Sequence, residues 1–467
     1  MRTAARAVVA SLAVLLACSA GYLGWGGAAE PRYIHLSWTV NDVYHTITVL
    51  WWTEANVSGV VVYDTVHRDD ISEYRFSVEA RTYRVYSERY GKAFPGYWHE
   101  ATLTGLEPGT TYYFRVGGPG GWSREYKFRT LSPDQTLRMA VTGDSRRPWG
   151  AGFELKRRPE ATSNYPWSRI WLSKAIAQEE PDVVLFTGDM VDSGNVWEEW
   201  ADWFSHVTDN CVTPDGRMVP VVAVIGNHEM GSYPAKEATY EWFQGVFANP
   251  GNELWFSLDL PHTHLTVLAT TGGAVRLSWD AAVSEAEAQV EFLERDLGSA
   301  NATWKIVALH VPWYTCYRSG TGYPSEVYMR YWARIIEGHG VDFVVAGHVH
   351  NYMRTWPLRT VRVEEVGLGR KVGYKHVYEL VKDSREGTTY IIAGTAGAPI
   401  DLYERGGACD VRDFMAEARA RHLYLLMEVN ATHVHLVAKD AAGRVWDEAV
   451  YPFTVERFEV PAYNTRV

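Results

Sequence analysis

The chain has 467 residues, 46% of them hydrophobic and 13% aromatic, so it can fill large cores in two or three domains. Its net charge is -11 and no cationic tract stands out, which argues against a nucleic-acid-binding role. The acidity does not exclude phosphorylated substrates, because bound metal ions reverse the field locally.

The first 29 residues have the pattern of an export signal. Two arginines precede an uncharged apolar run, as in the n- and h-regions of secretory signals. Three processing routes remain open: cleavage after Ala20 or a nearby small residue, lipidation of Cys18 in a lipobox-like string, or retention of residues 7–29 as a membrane anchor. Each route predicts that the bulk of the protein is extracytoplasmic, either secreted or anchored to the outer face of the membrane.

Residues 30–133 have an all-β pattern. Ile47, Val49 and Trp51 alternate with other residues at a period of two, which predicts a strand with one face in a core. Residues 106–116 resemble the L-x-P-x-T-x-Y corner of fibronectin type III domains, with Tyr112 in the position of the corner tyrosine. We therefore expect a fibronectin III-like β-sandwich with a structural role, overhanging the cleft of the next domain, or else a separate partner-binding role.

From residue 134 to residue 467 apolar strands alternate with helical stretches, which is typical of an α/β domain. A helix is predicted around residues 167–180, and a capping-box pattern at residues 284–287 predicts the start of another helix. The polar stretch 358–386 is predicted to be an irregular insertion or long loop. Residues 422–429 and 433–438 are predicted to form a closing hairpin.

Five predicted strands of this α/β domain end in polar residues. Ligands gathered at the carboxyl ends of strands are what a sheet of parallel strands produces. Each signal alone is weak, since Gly-Asp is a common turn and a histidine at a strand end is more often structural. Together, each after an apolar run, they predict one site made of Asp144, Asp189, Asn227 with His228, His310, and His348 with His350.

The order of these motifs, GD, GDxxD, GNHE, VxxH and GHxH, resembles that of the calcineurin-like metallophosphoesterases. The preceding β-sandwich and the strings at residues 309–314 and 347–355 are similar, more narrowly, to the purple acid phosphatase branch. The resemblance covers about residues 35–455. It implies an N-terminal β-sandwich followed by a metallophosphoesterase domain with α/β/β/α layers.

The resemblance also implies a role for each residue at the site. Asp189 would bridge two divalent or trivalent metal ions of the iron, manganese or zinc type, which accept carboxylate, amide and imidazole ligands. Asn227, His310 and His348 would complete the second metal site, and Asp144 and His350 would join Asp189 at the first. His228 would stabilise or protonate the leaving oxygen, or would only orient other groups.

Two positions depart from the family pattern. Asp192 stands where purple acid phosphatases carry the tyrosine that gives their colour. We therefore expect a colourless protein and do not predict Fe(III) in particular. Arg146 stands where many superfamily members carry a histidine, so the first metal lacks both usual fourth ligands. Asp192 would replace them or act as a capping carboxylate. Arg146, or Arg147, would grip the phosphate as a bidentate donor or form a salt bridge at the cleft rim.

The predicted function is metal-dependent hydrolysis of small phosphomonoesters outside the cytoplasm, by a water activated at two metals. One alternative is a phosphodiesterase or nucleotidase, in which Trp313, Tyr314 and the loop from Tyr317 to Tyr328 stack on a base or sugar rather than merely pack. The other is a non-catalytic cell-surface binding protein whose first metal site has decayed. Three cysteines outside the leader, Cys211, Cys316 and Cys409, allow at most one internal disulfide.

Overall fold

The structure is a computed structural model that describes residues 27–147, 167–231, 239–271, 279–315, 324–368, 371–401 and 414–458. Within these ranges no helix is both long enough and apolar enough to cross a membrane. The predicted export signal falls almost wholly outside the described residues, as do Cys316 and Cys409. Cys211 is a buried free thiol.

The N-terminal part is a β-sandwich, as predicted. Its strands are β1 Arg32–Ser37, β2 Ile47–Thr53, β3 Val60–Asp64, β4 Phe76–Glu79, β5 Arg81–Tyr83, β6 Tyr86–Ser87, β7 Lys92–Ala93, β8 Tyr97–Leu103, β9 Thr111–Gly118, β10 Gly121–Trp122 and β11 Tyr126–Arg129. One sheet has the order β1-β2-β8-β5, and the other has the order β10-β9-β3-β4 with β11 also paired to β9. A 3-10 turn at Ile71–Glu73 and the small β6-β7 hairpin complete this part.

Tyr112 forms the predicted corner of the sandwich. Its hydroxyl accepts a hydrogen bond from the backbone N–H of Glu107 at 2.9 Å, and its ring stacks on Phe128 at 5.4 Å. This contact ties the loop before β9 to the strand itself, as in other sandwiches with a tyrosine corner.

Strand β2 is buried on both faces, beyond the single face that its alternation predicts. Ile47, Val49 and Trp51 lie in the sandwich core. Leu50 and Trp52 point the other way and join the core of the second domain. The sandwich is therefore packed against the α/β domain through an apolar face, which fixes the two parts to each other.

The α/β domain contains fifteen strands and five helices among the described residues. The strands are β12 Leu137–Thr142, β13 Val183–Phe186, β14 Val221–Ala223, β15 Phe256–Leu260, β16 Thr263–Val267, β17 Trp304–Ala308, β18 Phe343–Ala346, β19 Tyr352–Thr355, β20 Leu358–Leu368, β21 Lys371–Leu380, β22 Thr389–Ala393, β23 Met415–Arg419, β24 Tyr424–Val429, β25 Val434–Lys439 and β26 Val445–Tyr451. The helices are α1 Trp167–Gln178, α2 Trp197–His206, α3 Glu241–Val246, α4 Trp279–Ser299 and α5 Pro324–Gly338, with a 3-10 turn at Ser384–Glu386.

Thirteen of these strands form two sheets that face each other. Their orders are β14-β13-β12-β24-β25-β26 and β15-β16-β17-β18-β22-β19-β23. Leu185 of the first sheet and Ile306 of the second share the central core. Leu172 of α1 and Trp203 of α2 cover the outer face of the first sheet, while Trp332 of α5 packs on the outer face of the second with residues of α4. The predicted α/β/β/α architecture is confirmed.

The prediction of an irregular segment at residues 358–386 is wrong for most of its length. Strands β20 and β21 pair antiparallel from Leu358 opposite Leu380 to Leu368 opposite Lys371. Val361 and its neighbours alternate with charged residues, and Val361 itself is half exposed. Its backbone groups are satisfied by strand pairing, which does not require a hydrophobic contrast between the two faces of the ribbon.

The capping-box prediction at residues 284–287 is also wrong, because α4 begins at Trp279 and Ser284 lies inside it. Glu287, the acidic residue of that pattern, instead accepts a hydrogen bond from the hydroxyl of Tyr331 of α5 at 2.8 Å. The predicted apolar stripe is present, since Ala286, Leu293 and Leu297 are buried. Packing of this stripe stabilises the helix, which therefore begins before the start that the capping-box pattern predicts.

Candidate metal centre

The two facing sheets bring their parallel strand ends to one edge. The backbone N–H of Asp144, after β12, donates to Gly188 O at 2.9 Å, after β13. The N–H of Gly347, after β18, donates to His310 O at 3.0 Å, after β17. These bonds join neighbouring strand-end loops within each sheet, and the side chains described below connect the loops of one sheet to those of the other.

Three of the predicted ligands have left-handed backbones. The φ angles are 54° at Asp144, 53° at Asp189 and 68° at His348. For a residue with a Cβ this conformation costs about 1–2 kcal/mol. The tight turn allows the chain to leave a buried strand and still aim its side chain into the cleft. Such strain concentrates at functional sites.

Four predicted ligands of the second metal converge on one point. His310 Nε2 lies 3.2 Å from Asp189 Oδ1 and 3.0 Å from Asn227 Oδ1. His348 Nδ1 lies 2.9 Å from the same amide oxygen. Donor atoms of Asp189, His310 and His348 all lie within 4.8 Å of one another.

The predicted ligands of the first metal form a second, smaller group. Donor atoms of Asp144, Asp189 and His350 lie within 4.8 Å of one another, and His350 Nε2 is 3.6 Å from Asp144 Oδ1. All three side chains are buried. Asp189 belongs to both groups, as expected of a bridging ligand.

The hydrogen-bonding pattern of these residues fits metal ions. Asp144 Oδ1 is buried and has no hydrogen-bond partner. His310 donates a hydrogen bond from its other ring nitrogen, Nδ1, to Thr187 O at 2.7 Å. His350 likewise donates from Nδ1 to Pro399 O at 2.7 Å. Carbonyl partners of this kind orient metal-binding imidazoles and leave the opposite nitrogen free to coordinate. The residues present therefore fit a pair of metal ions.

The charges of the cluster also favour cations. Burial raises the pKa of Asp144 well above its usual value. Burial acts in the same direction on Asp189, but His310 and His228 outweigh it and hold the pKa of Asp189 well below its usual value. Burial would lower the pKa of His310, yet Asp189 outweighs burial and raises that pKa to about 9. The protonated ring of His310 supplies a positive charge to the cluster. A bound metal ion would supply that charge instead.

Sequence reasoning assigned no role to Glu229, which lies directly after His228 and is fully buried. Its carboxylate accepts four backbone hydrogen bonds: from Gly226 at 2.7 Å, Asp189 at 2.9 Å, Met190 at 2.8 Å and Val191 at 3.3 Å. It therefore joins the loop after β13 to the loop after β14. The sequence signal for this role was the position of Glu229 in the GNHE string. A buried carboxylate needs several hydrogen-bond donors, and these backbone N–H groups supply them.

Two further residues that support the ligands lie far from the motifs. Thr270, after β16, accepts from the backbone N–H of His310 at 3.0 Å through its hydroxyl. Asp401 accepts from the backbone N–H of His350 at 3.1 Å and donates its own N–H to His350 O at 2.9 Å. Neither residue follows a periodic pattern, so no sequence signal identified them.

His228 is positioned beside the bridging carboxylate. Its Nδ1 donates to Asp192 O at 2.7 Å, so Nε2 faces Asp189 Oδ2 at 3.8 Å. Burial lowers the pKa of His228 to about 3. The ring is therefore neutral at neutral pH, with Nε2 facing the bridging carboxylate.

Arg146 and Asp192, the two departures from the family pattern, are bound to each other. Arg146 Nη1 donates to Asp192 Oδ1 at 3.1 Å, and both side chains are buried. Arg146 Nε lies 3.9 Å from Asp189 Oδ2. The neighbouring Arg147 instead pairs with Glu199 at 2.6 Å. In the part of the chain that the structure describes, Asp192 is outside both donor groups.

Trp313 and Tyr314 pack in the core. They are 8% and 7% exposed, and their ring centroids lie 5.7 Å and 4.7 Å from that of Tyr390. These two rings therefore give no support to a base-stacking site, and most of the loop 317–328 lies outside the described residues.

Comparison with known proteins identifies the family. Residues 140–352 match the calcineurin-like phosphoesterase family, and residues 31–130 match the purple acid phosphatase N-terminal domain. The chain contains a calcineurin-like phosphoesterase domain preceded by a purple acid phosphatase N-terminal domain. The predicted family, fold and enzyme class are confirmed, and these domains favour a hydrolase over a non-catalytic binding protein.

Relatives of this metallophosphoesterase include acid phosphatases. Human acid phosphatase type 7 is 27% identical over 381 residues, which cover 75% of this chain and 76% of the human protein. The mouse protein of the same name is 26% identical over 444 residues, covering 90% of each chain. The structure of a purple acid phosphatase from yellow lupin (Lupinus luteus) seeds superposes with a TM-score of 0.68 at 19% identity, covering 90% of this chain and 74% of that chain. The last likeness shows the shared fold.

Proposed function

We propose that this metallophosphoesterase hydrolyses phosphate monoesters outside the cytoplasm with a pair of metal ions. The observation that supports the proposal most is the convergence of two donor groups on Asp189. One ion would be held by Asp189, Asn227, His310 and His348, and the other by Asp144, Asp189 and His350. Acid phosphatases among the relatives support a monoester as the substrate.

The donor set suits iron, manganese or zinc, which accept mixed oxygen and nitrogen ligands. When bound, such a pair polarises phosphate oxygens and lowers the pKa of a water molecule. Two aspartates against two divalent ions leave the site net positive, as a phosphate ester requires. Because Asp192 replaces the tyrosine that gives related enzymes their colour, we expect the iron-loaded protein to show no purple absorption band.

His228 would serve the leaving group. As the ester P–O bond breaks, the leaving oxygen takes the bond's electron pair and needs a proton, which Nε2 of a protonated ring donates. Burial keeps the ring neutral in the resting protein. A phosphate anion beside the ring would raise the pKa of His228, so the ring would become protonated when the substrate binds.

Arg146 would bind a phosphate oxygen. Its guanidinium is buried beside the bridging carboxylate, with Nε 3.9 Å from Asp189 Oδ2. Pairing with Asp192 at 3.1 Å holds the guanidinium in place before substrate arrives. A fixed, always-charged donor loses little entropy when it binds an anion.

The proposed extracytoplasmic location rests on the leader-like first 29 residues. Fractionation of the source cells, with intact-mass analysis of the chain, tests it. Recovery outside the cytoplasm supports export, and the mass distinguishes cleavage, lipidation and retention. Recovery of the chain with an unprocessed leader in the cytoplasm overturns export.

The activity is tested on purified protein stripped by chelation and reconstituted with zinc, manganese or iron. We expect p-nitrophenyl phosphate to be hydrolysed faster than bis-p-nitrophenyl phosphate, with transition metal bound to the chain. Less than one metal ion per chain and no hydrolysis after reconstitution would overturn the proposal. Preference for the diester would replace the phosphatase with a phosphodiesterase.

The role of His228 is tested with His228→Gln. General acid catalysis is worth about 10²–10⁴-fold, so kcat should fall by at least about 10²-fold on an alkyl phosphate. The loss should be smaller on p-nitrophenyl phosphate, whose leaving group needs little protonation. Metal content should stay unchanged. His435→Gln, on the distant strand β25, is the matched control and should retain normal kinetics.

A further inference from the structure

The two candidate metal sites differ in their number of donors. The second site has four: Asp189, Asn227, His310 and His348, with Asn227 Oδ1 about equally far from both imidazoles. Among the residues that the structure describes, the first site has three, from Asp144, Asp189 and His350. Fewer protein ligands give a weaker and more exchangeable metal site.

A fixed positive charge lies on the side of the weaker site. Asp189 Oδ1 faces His310 at 3.2 Å, whereas Asp189 Oδ2 faces Arg146 Nε at 3.9 Å. An arginine does not lose its proton in a protein. Arg146 is 8% exposed, so solvent screens its charge weakly. It therefore competes with a cation at the first site for the carboxylate of Asp189.

Asp192, which lies on the same loop as Asp189, does not restore the missing donor in this arrangement. Its Oδ1 accepts from Arg146 Nη1 at 3.1 Å. Its backbone N–H, and that of Ser193, donate to Glu199 at 2.6 Å and 3.0 Å, which fixes the loop. Glu199 also binds Arg147, so two arginines in a row anchor the loop of Asp144 to the loop of Asp189.

We propose that the Arg146–Asp192 pair makes the metal centre unequal. The site of Asn227, His310 and His348 keeps its ion tightly, while the site of Asp144 and His350 takes up its ion only at higher free metal concentration. The free metal concentration therefore regulates the enzyme through the first site. This inference rests on the proposed two-metal function, and it names Arg146 as the residue that sets the affinity of the first site.

Equilibrium dialysis of the chelator-stripped full chain against buffered Zn²⁺, with metal counted by mass spectrometry, tests the proposal. We expect two classes of site with Kd values at least about tenfold apart, because the charge of Arg146 opposes a cation at the first site. Arg146→Gln should reduce the gap to within about threefold. Arg359→Gln, which removes an exposed arginine of strand β20, is the control and should leave the gap intact. Two equal classes in the wild type, or an unchanged gap in Arg146→Gln, overturns the proposal.

Further variants separate the effect of the Arg146 charge from the effect of a freed Asp192 carboxylate. The double variant Arg146→Gln with Asp192→Asn removes the charge of Arg146 without freeing a carboxylate, so the gap should narrow but not close, because three donors still stand against four. His350→Ala should remove the weak class and Asn227→Ala the tight class. The reverse assignment contradicts the proposal.

Activity on p-nitrophenyl phosphate distinguishes this inference from the proposed function. Two equal sites in an active wild type would overturn only the inference. Unequal sites in an inactive wild type would overturn the proposed function and leave the inequality of the sites standing.

Discussion

The carboxylate of Glu229 accepts the backbone N–H of Asp189 at 2.9 Å, so a buried acid fixes the turn that presents the bridging ligand. Glu229→Gln would place an NH₂ group against N–H donors. Leaving buried donors unsatisfied costs about 1–3 kcal/mol, so we expect that loss in the free energy of unfolding together with weaker metal binding. Urea unfolding and metal analysis measure the two effects.

The matched control for this change is Glu294→Gln, whose carboxylate is half exposed and pairs with His339 at the surface. It should change the stability by less than about 0.5 kcal/mol. Equal stability of Glu229→Gln and the wild type would show that the four backbone contacts do not hold the turn.

Asp189→Asn keeps the size of the bridging side chain and removes its charge. Since altering a residue that merely orients a metal ligand costs 10–100-fold, loss of the shared ligand should cost more than about 10²-fold in hydrolysis. We expect loss of both metals, measured as metal per chain. Asp69→Asn, with a 96% exposed side chain, should keep its metal. Near-normal turnover of Asp189→Asn would show the bridging assignment to be wrong.

Gly347 is required where the two sheets meet at the site. A Cβ there would lie 2.5 Å from Asp144 Oδ2 and 2.6 Å from Thr187 O. We expect Gly347→Ala to displace Asp144, lower the first-site metal occupancy and cost about 1–3 kcal/mol of stability. At Gly338 a Cβ would meet nothing within 4 Å, so Gly338→Ala is the control and should be neutral or slightly stabilising. Full metal occupancy in Gly347→Ala would refute the close contact.

His264 predicts a loss of stability at alkaline pH, independent of the metal centre. Burial would lower its pKa, but hydrogen bonds to Asp259 at 2.7 Å and Asp296 at 3.0 Å outweigh burial and raise that pKa to about 9. Because the folded chain holds the proton more tightly than the unfolded chain, this contribution is complete below pH 6.5 and is lost as pH rises through 9.

The expected size of this loss is about 2 kcal/mol between pH 6.5 and pH 10, after allowance for the exposed side of Asp259. Urea unfolding of the wild type and of His264→Gln at several pH values measures it. The variant should be less stable at pH 6.5, and the two curves should converge at pH 10. Parallel curves would mean that His264 carries no such charge.

Strand positions in the α/β domain were predictable from the sequence because each is a short apolar run. Strands β13 and β18 end just before the motifs of Asp189 and His348, as predicted, and the helix α1 lies within its predicted range. The hairpin of β20 and β21 was not predictable from hydrophobicity, because its residues have little contrast between faces. The start of α4 was missed because a local capping signal was outweighed by packing.

The strand-end motifs alone determined the family, the fold class and the candidate ligands. They could do so because ligand chemistry belongs to residue types, and because parallel strands deliver those residues to one edge. The tertiary structure decided the contacts between distant segments: the four N–H groups on Glu229, the support of His310 by Thr270, and the pairing of Arg146 with Asp192. These depend on distances of a few ångströms between loops, which no periodicity in the chain encodes.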